Sequence, residues 1–170
     1  MRPEYKTIID WVEKGSNVID LGCGDYELLR LLDVSGEGMD KRYGSLIDKK
    51  ENYANIKDKQ FDYAICNATL QMVEYPEVLL SEMKRISKKQ IISFPNFAKW
   101  NNRLELLFKG RMPRRMLCGY EWYSTGHLHQ LSIKDFISYV GKDKILRKEF
   151  LPNRPFPNLT AHTAIYLCEL

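Results

Sequence analysis

The chain has 170 residues, with 26 Lys and Arg against 22 Asp and Glu for a net charge of +4. It is long enough for one domain with a real core, and a hydrophobic content of 44% with 28% charged residues is that of an ordinary globular protein. The charge is too mild to argue by itself for nucleic acid, and no apolar run approaches the ~20 residues of a membrane span.

Pro3 to Lys14 places Tyr5, Ile8, Ile9 and Val12 at helical spacing, with Gly15 as the expected C-cap. The apolar run Val18 to Leu21 carries one acid, Asp20. Gly22 and Gly24 follow at once, then leucines from Leu28 to Leu32. This reads as strand, tight turn, helix. Gly22 lets the chain turn sharply, and Gly24 lets a ligand approach the backbone near the free N–H groups of the next helix. A dinucleotide loop would need a third glycine where Glu27 stands. A second acid that binds ribose hydroxyls is expected about 20 residues on, after the second strand. Asp40 holds that place, and the second strand is expected at Gly38 to Asp40 or slightly longer.

The segment 41–60 is short of structure. A parallel crossover takes about a dozen residues, usually a helix. Only Lys41 to Ile47 separate Asp40 from Asp48. Ser45-Leu-Ile47 is therefore expected as a remnant third strand at a reduced sheet edge, either lost or irregularly paired. Phe61 to Cys66 reads as a buried strand, leading into Asn67-Ala-Thr-Leu-Gln71. Pro76 suits a first helical position, and Leu79, Leu80, Met83 and Ile86 make one apolar stripe. Gln90 to Phe94 is the next strand. Trp100 to Phe108 is a helix ending at Gly110. Ser132 and Asp135 form a capping box ahead of Ile133, Phe136, Ile137 and Val140. Lys144 to Leu151 and Thr160 to Leu170 read as an antiparallel pair at the sheet edge. No repeat or linker interrupts 1–170, so a single α/β domain is expected, with a mainly parallel sheet, helices on both faces and an antiparallel last strand.

The motif Asp20-x-Gly22-x-Gly24 with Asp40 resembles the cofactor loop of class I S-adenosylmethionine (SAM) methyltransferases, which are Rossmann-like. Tyr26 stands where that family often has a third glycine. A closer resemblance lies further on. Ser93-Phe-Pro-Asn-Phe-Ala-Lys-Trp100, Gly110-Arg-Met-Pro113 and Tyr120-Glu-Trp-Tyr-Ser-Thr125 resemble the methionine-biosynthesis family MetW, as do Asp20 to Asp25, Phe61 to Tyr63 and Thr69 to Gln71. The resemblance runs from about Arg2 to about Phe136. It implies SAM or S-adenosylhomocysteine as cofactor and homoserine O-acyltransferase as a partner. It also implies a cofactor site made of Asp20, Gly22, Cys23, Gly24, Asp40 and Asn67, with Asp48 on the adenine side. The methyl acceptor does not follow from it.

Other residues allow other readings. Methyl transfer needs little beyond alignment, and Asn67, Thr69 and Gln71, placed where a base would sit, are poor bases. His127 and His129 form an H-x-H pair without an evident third metal ligand. Lys109, Arg111, Arg114 and Arg115 with Tyr120, Trp122 and Tyr123 suit a protein-docking surface, or RNA in an RNA methyltransferase. A non-catalytic accessory protein that kept the fold stays open as well. The long aromatic segment 95–130 is expected to fold over the cofactor pocket, with its arginines facing a partner. Met1 to Lys6 has no apolar signal core. Cys23, Cys66, Cys118 and Cys168, with no C-x-x-C pair, predict reduced thiols in a cytoplasmic protein.

Overall fold

The computed structural model describes residues 2–44, 46–115, 117 and 119–170, without the side chain of Tyr43. Six strands form one sheet. They are β1 (Asn17–Leu21), β2 (Ser35–Met39), β3 (Phe61–Asn67), β4 (Ser87–Pro95), β5 (Ile145–Leu151) and β6 (Thr163–Cys168), in the spatial order β2-β1-β3-β4-β6-β5. The first four run parallel, and β6 lies antiparallel to both β4 and β5. The expected class is therefore the one observed. The carboxyl ends of β1 to β4 share one rim of the sheet, and the start of β6 joins them there because Pro95 pairs with Thr163.

The period-2 alternation of the strands divides the core between two faces. Val18, Ile65, Ile91 and Ile165 point to one side. There they meet Tyr5, Ile8 and Val12 around α1 (Pro3–Trp11) and Leu28 and Leu32 around α2 (Glu27–Leu31). Ile19, Cys66, Ile92 and Tyr166 point to the other. They pack on Leu79, Met83 and Ile86 of α3 (Pro76–Ile86) and on Ile133 and Phe136 of α5 (Ile133–Val140). The expected capping box is present: Ser132 Oγ accepts from Asp135 N–H, and Asp135 Oδ2 accepts from Ser132 N–H at 2.9 Å. In chain order α4 (Trp100–Lys109) falls between α3 and α5, and its only buried residue is Asn102. A single turn, α6 (Pro157–Thr160), precedes β6.

Several boundaries differ from the sequence reading. The first helix ends at Trp11, and Gly15 (φ 75°) serves a later turn instead of the cap. β2 begins at Ser35 and stops one residue short of Asp40. Leu46 and Ile47 belong to no strand, so β2 is the edge; Ser45 lies outside the described residues. The segment between Asp40 and β3 is held by side chains instead of ladder pairing. Two 3₁₀ turns, Lys41–Tyr43 and Lys50–Tyr53, carry it. Buried Tyr53 donates its hydroxyl to the Ile47 carbonyl at 2.5 Å, and Arg85 of α3 donates to the carbonyls of Tyr53 (3.1 Å) and Ile56 (2.8 Å). These bonds give buried backbone oxygens the partners that a strand neighbour would otherwise supply.

Candidate functional site

A cavity of about 530 Å³ opens at the carboxyl rim of β1, β2 and β3. That is the crevice where open α/β sheets take ligands. Its floor is the turn after β1. Gly22 (φ 93°) and Gly24 (φ 62°) both hold left-handed backbone. A Cβ on Gly22 would drive into the Thr69 side chain, lying 2.6 Å from its Cγ2. A Cβ on Gly24 would meet the guanidinium end of Arg42 at 2.5 Å. The two glycines thus answer different needs: one lets the β3 turn close onto the loop, the other keeps the cavity side of the loop open.

Asp20 ends β1 and is 2% exposed. Its Oδ1 is buried and has no hydrogen-bond partner among the described residues. Burial, reinforced by the nearby charge of Asp40, pushes its carboxyl up to about 7. Asp40 is held differently. Its Oδ2 accepts the Gly24 N–H at 3.0 Å, and its Oδ1 accepts the Arg42 N–H at 2.9 Å and Nε at 3.3 Å. Burial alone would raise its carboxyl, but these backbone donors and the guanidinium hold it below the ordinary value. Asp40 therefore ties the glycine loop to the end of β2. Burial and both acids push the Cys23 thiol up to about 11, so it is a packed, unreactive sulfhydryl.

Asp48 also lines the cavity, and its Oδ2 accepts the N–H groups of Glu74 (2.7 Å) and Tyr75 (3.2 Å). It thereby caps the approach to α3, whose own N-cap, Tyr75, has no side-chain cap bond. Asn67 ends β3 and accepts the Ser93 hydroxyl at 2.5 Å, which fixes the turn through Ala68 (φ 51°) that brings Thr69 under Gly22. All seven residues expected at the cofactor site line this one cavity. Thr69, expected beside the site, lines it too; Arg2, Tyr5, Lys49 and Leu128 also line it and were not anticipated. Arg2 and Tyr5 lie on the lead-in helix, whose pattern signals only core packing.

Tyr26 does not crowd the cavity. It takes the left-handed conformation (φ 64°) that a glycine would take there. Its ring lies over Gly38 of β2, and its hydroxyl donates to the Gly38 carbonyl at 3.4 Å. The segment 95–130 reaches the cavity at its far end. The N–H groups of Leu128 (2.9 Å) and His129 (3.1 Å) bond the Gln71 carbonyl, placing the Leu128 side chain in the wall. His127 faces Thr125, its Nδ1 2.9 Å from the hydroxyl, and His129 Nε2 lies 3.3 Å from the Glu74 carbonyl. Among the described residues no group of three His, Cys, Asp or Glu could hold a metal ion, and no helix is long and apolar enough to cross a membrane.

A family model described as methionine biosynthesis protein MetW matches residues 2–165. The chain belongs to the MetW family. A curated member-related protein, the bifunctional methionine biosynthesis protein MetXA/MetW of Rhodopirellula baltica, is 30% identical over 203 residues, covering 95% of this chain. The match takes in 32% of that relative, so this chain spans about a third of its length. Solved structures share the fold. A SAM-dependent methyltransferase from Archaeoglobus fulgidus superposes with a TM-score of 0.66 at 14% identity, covering 97% of this chain and 90% of that one. A SAM-dependent methyltransferase from Thermotoga maritima, described as a possible histamine N-methyltransferase, gives 0.62 at 13% identity, covering 97% and 86%. At such identities the likeness shows the methyltransferase-like fold, and in this MetW chain that fold lacks a strand beyond β2 among the described residues.

Proposed function

We propose that the cavity binds S-adenosylmethionine or S-adenosylhomocysteine, and that the protein serves methionine biosynthesis beside a homoserine O-acyltransferase. The observation that carries the first part is the convergence of Asp20, Gly22, Gly24 and Asp40 on one cavity. The fit is favourable. Its volume lies within the ~300–1,000 Å³ usual for ligand pockets. The unpartnered Asp20 Oδ1 offers an acceptor for an ammonium or hydroxyl donor. Asp40 would bind ribose hydroxyls from its fixed position against the glycine loop, and Asp48 would approach the adenine. When bound, such a cofactor supplies an electrophilic methyl group. This chain's own contribution is to hold and orient it, with Leu128 helping to exclude water. Calorimetry with both ligands tests the reading: saturable binding is expected, and no heat at millimolar ligand would remove it. The Asp40→Ala protein should bind more weakly; unchanged affinity would show that the ribose contact lies elsewhere.

The partner reading is supported by the Rhodopirellula relative, which joins MetXA and MetW in one polypeptide. A face suited to docking lies on α4. Trp100, Leu104, Leu107 and Phe108 fall at i, i+4, i+7 and i+8 and are all exposed, the last two at 73% and 78%. Two of the three arginines expected to dock are already paired. Arg111 pairs with Glu105 at 3.6 Å, Arg114 pairs with Glu121, and Arg115 lines a second cavity. The apolar stripe is thus the better anchor. Co-purification with the acyltransferase of the same organism is expected. It should survive replacement of Arg111 and Arg114 by Ala and be lost with Leu107→Ser/Phe108→Ser.

A further inference from the structure

A second cavity, about 220 Å³, lies at the same rim of the sheet between the end of β4 and the start of β6. It shares no lining residue with the cofactor cavity. Lys99, Asn101, Arg115, His162 and Thr163 line it. Lys99 Nζ sits against the His162 imidazole, 3.1 Å from Nδ1, and Arg154 is close enough for its charge to act on Lys99. Among the described residues no carboxylate pairs with Lys99, Arg115 or Arg154.

Three features of this arrangement are unfavourable without a ligand. Like charges face one another across a small space. Lys99 is the N-cap of α4, so a cation occupies the positive end of the helix dipole. Asn101 Oδ1 is buried and has no hydrogen-bond partner among the described residues. Desolvation and the neighbouring cations push both Lys99 and His162 toward their neutral forms. A bound oxyanion would relieve the repulsion and the dipole conflict together, and a hydroxyl on it would give Asn101 a donor.

We propose that Lys99, Arg115 and His162, at the N-terminal end of α4, form a binding site for a small oxyanion, a phosphate or a carboxylate bearing a hydroxyl or protonated oxygen. The volume, below that of a nucleotide pocket, limits the ligand to a small molecule. The site stands apart from the cofactor reading and does not depend on it.

The test is a titration of the full chain with inorganic phosphate, and separately with malate, a carboxylate that bears a hydroxyl, at constant ionic strength. The His162 imidazole signal is followed by NMR across pH. Saturable binding with a raised His162 pKa is expected, because an anion favours the imidazolium and protonation in turn favours the anion. Tighter phosphate or tighter malate tells which oxyanion the site prefers. The Arg115→Gln protein should bind about tenfold more weakly, and Lys99→Met/Arg115→Gln should not saturate. Both changes are near the surface, and circular dichroism confirms their fold. Two results overturn the proposal: no saturation by either anion at tens of millimolar in the unmodified protein, or equal binding by the double variant.

Discussion

Asp20 combines near-complete burial with an oxygen that nothing among the described residues satisfies. Its carboxyl is raised to about 7 from an ordinary value near 4. A carboxyl raised on folding binds its proton more tightly in the native state. Its contribution to stability is therefore fully present below about pH 4 and is lost as the pH rises through about 7. Asp20→Asn should remove that loss, raising stability at pH 8 by about 2–4 kcal/mol while weakening cofactor binding. Melting curves at pH 5 and pH 8 with matched calorimetry check both signs; a variant less stable than the parent at pH 8 would contradict the account. Asp40, held below its ordinary value, acts oppositely, stabilising above that value and losing this as the pH falls. The two glycines should also separate. Gly22→Ala meets the branched Thr69 side chain at positive φ and should cost about 1–3 kcal/mol and the cofactor site. Gly24→Ala meets only the tip of Arg42, so it should cost less stability yet still weaken the ligand.

At the level of elements, α3 depends on a residue 28 positions upstream of its first turn, since Asp48 supplies the acceptor for Glu74 and Tyr75. Asp48→Ala should lower stability by about 1–2 kcal/mol because two part-buried backbone donors lose their partner. Asp48→Asn, which keeps an oxygen, should recover much of it in urea unfolding. This capping role could not be read from sequence: the family resemblance marked Asp48 only as an expected adenine-side acid, and the path of the chain brings it to Glu74. Elements with their own periodicity or caps were legible. The stripe of α3, the Ser132–Asp135 box and the β5–β6 pair all state their structure locally. β2 was only partly so, because Ser35-Gly-Glu-Gly has little intrinsic strand preference. Tertiary packing explains its glycines: a Cβ on Gly36 would lie 2.8 Å from Leu29 Cδ2, and one on Gly38 would lie 2.7 Å from Cys23 Sγ. The same packing takes up Tyr26, whose ring fills the space over Gly38 and leaves the cavity open. The site residues on the glycine loop were legible from motif spacing. Arg2, Tyr5 and Leu128 were not, since each reaches the cavity through a contact between distant segments.

For the molecule as a whole, ligand binding and folding are linked. At a hundredfold excess over its dissociation constant the cofactor should add about 2.7 kcal/mol, a rise of about 5–10 °C in melting temperature. Scanning with S-adenosylhomocysteine measures this, and a melting temperature unmoved at saturation would contradict native-state binding. The sheet's architecture has a further effect, on solubility. With β2 as its outer strand, the parallel half of the sheet ends in an open ladder edge, the kind of surface that recruits strands from other molecules. The edge is only five residues long, Ser35–Met39, and exposes the carboxylate of Glu37 between two glycines. A short, glycine-rich, charged strand is a poor template for self-association. Glu37 thus serves as a gatekeeper. Glu37→Val should leave the melting temperature nearly unchanged but bring turbidity at a lower protein concentration, and light scattering on warming would reveal it. A sheet that has no strand beyond β2 among the described residues is thus expected to resist self-association because its last strand is unattractive to copies of itself.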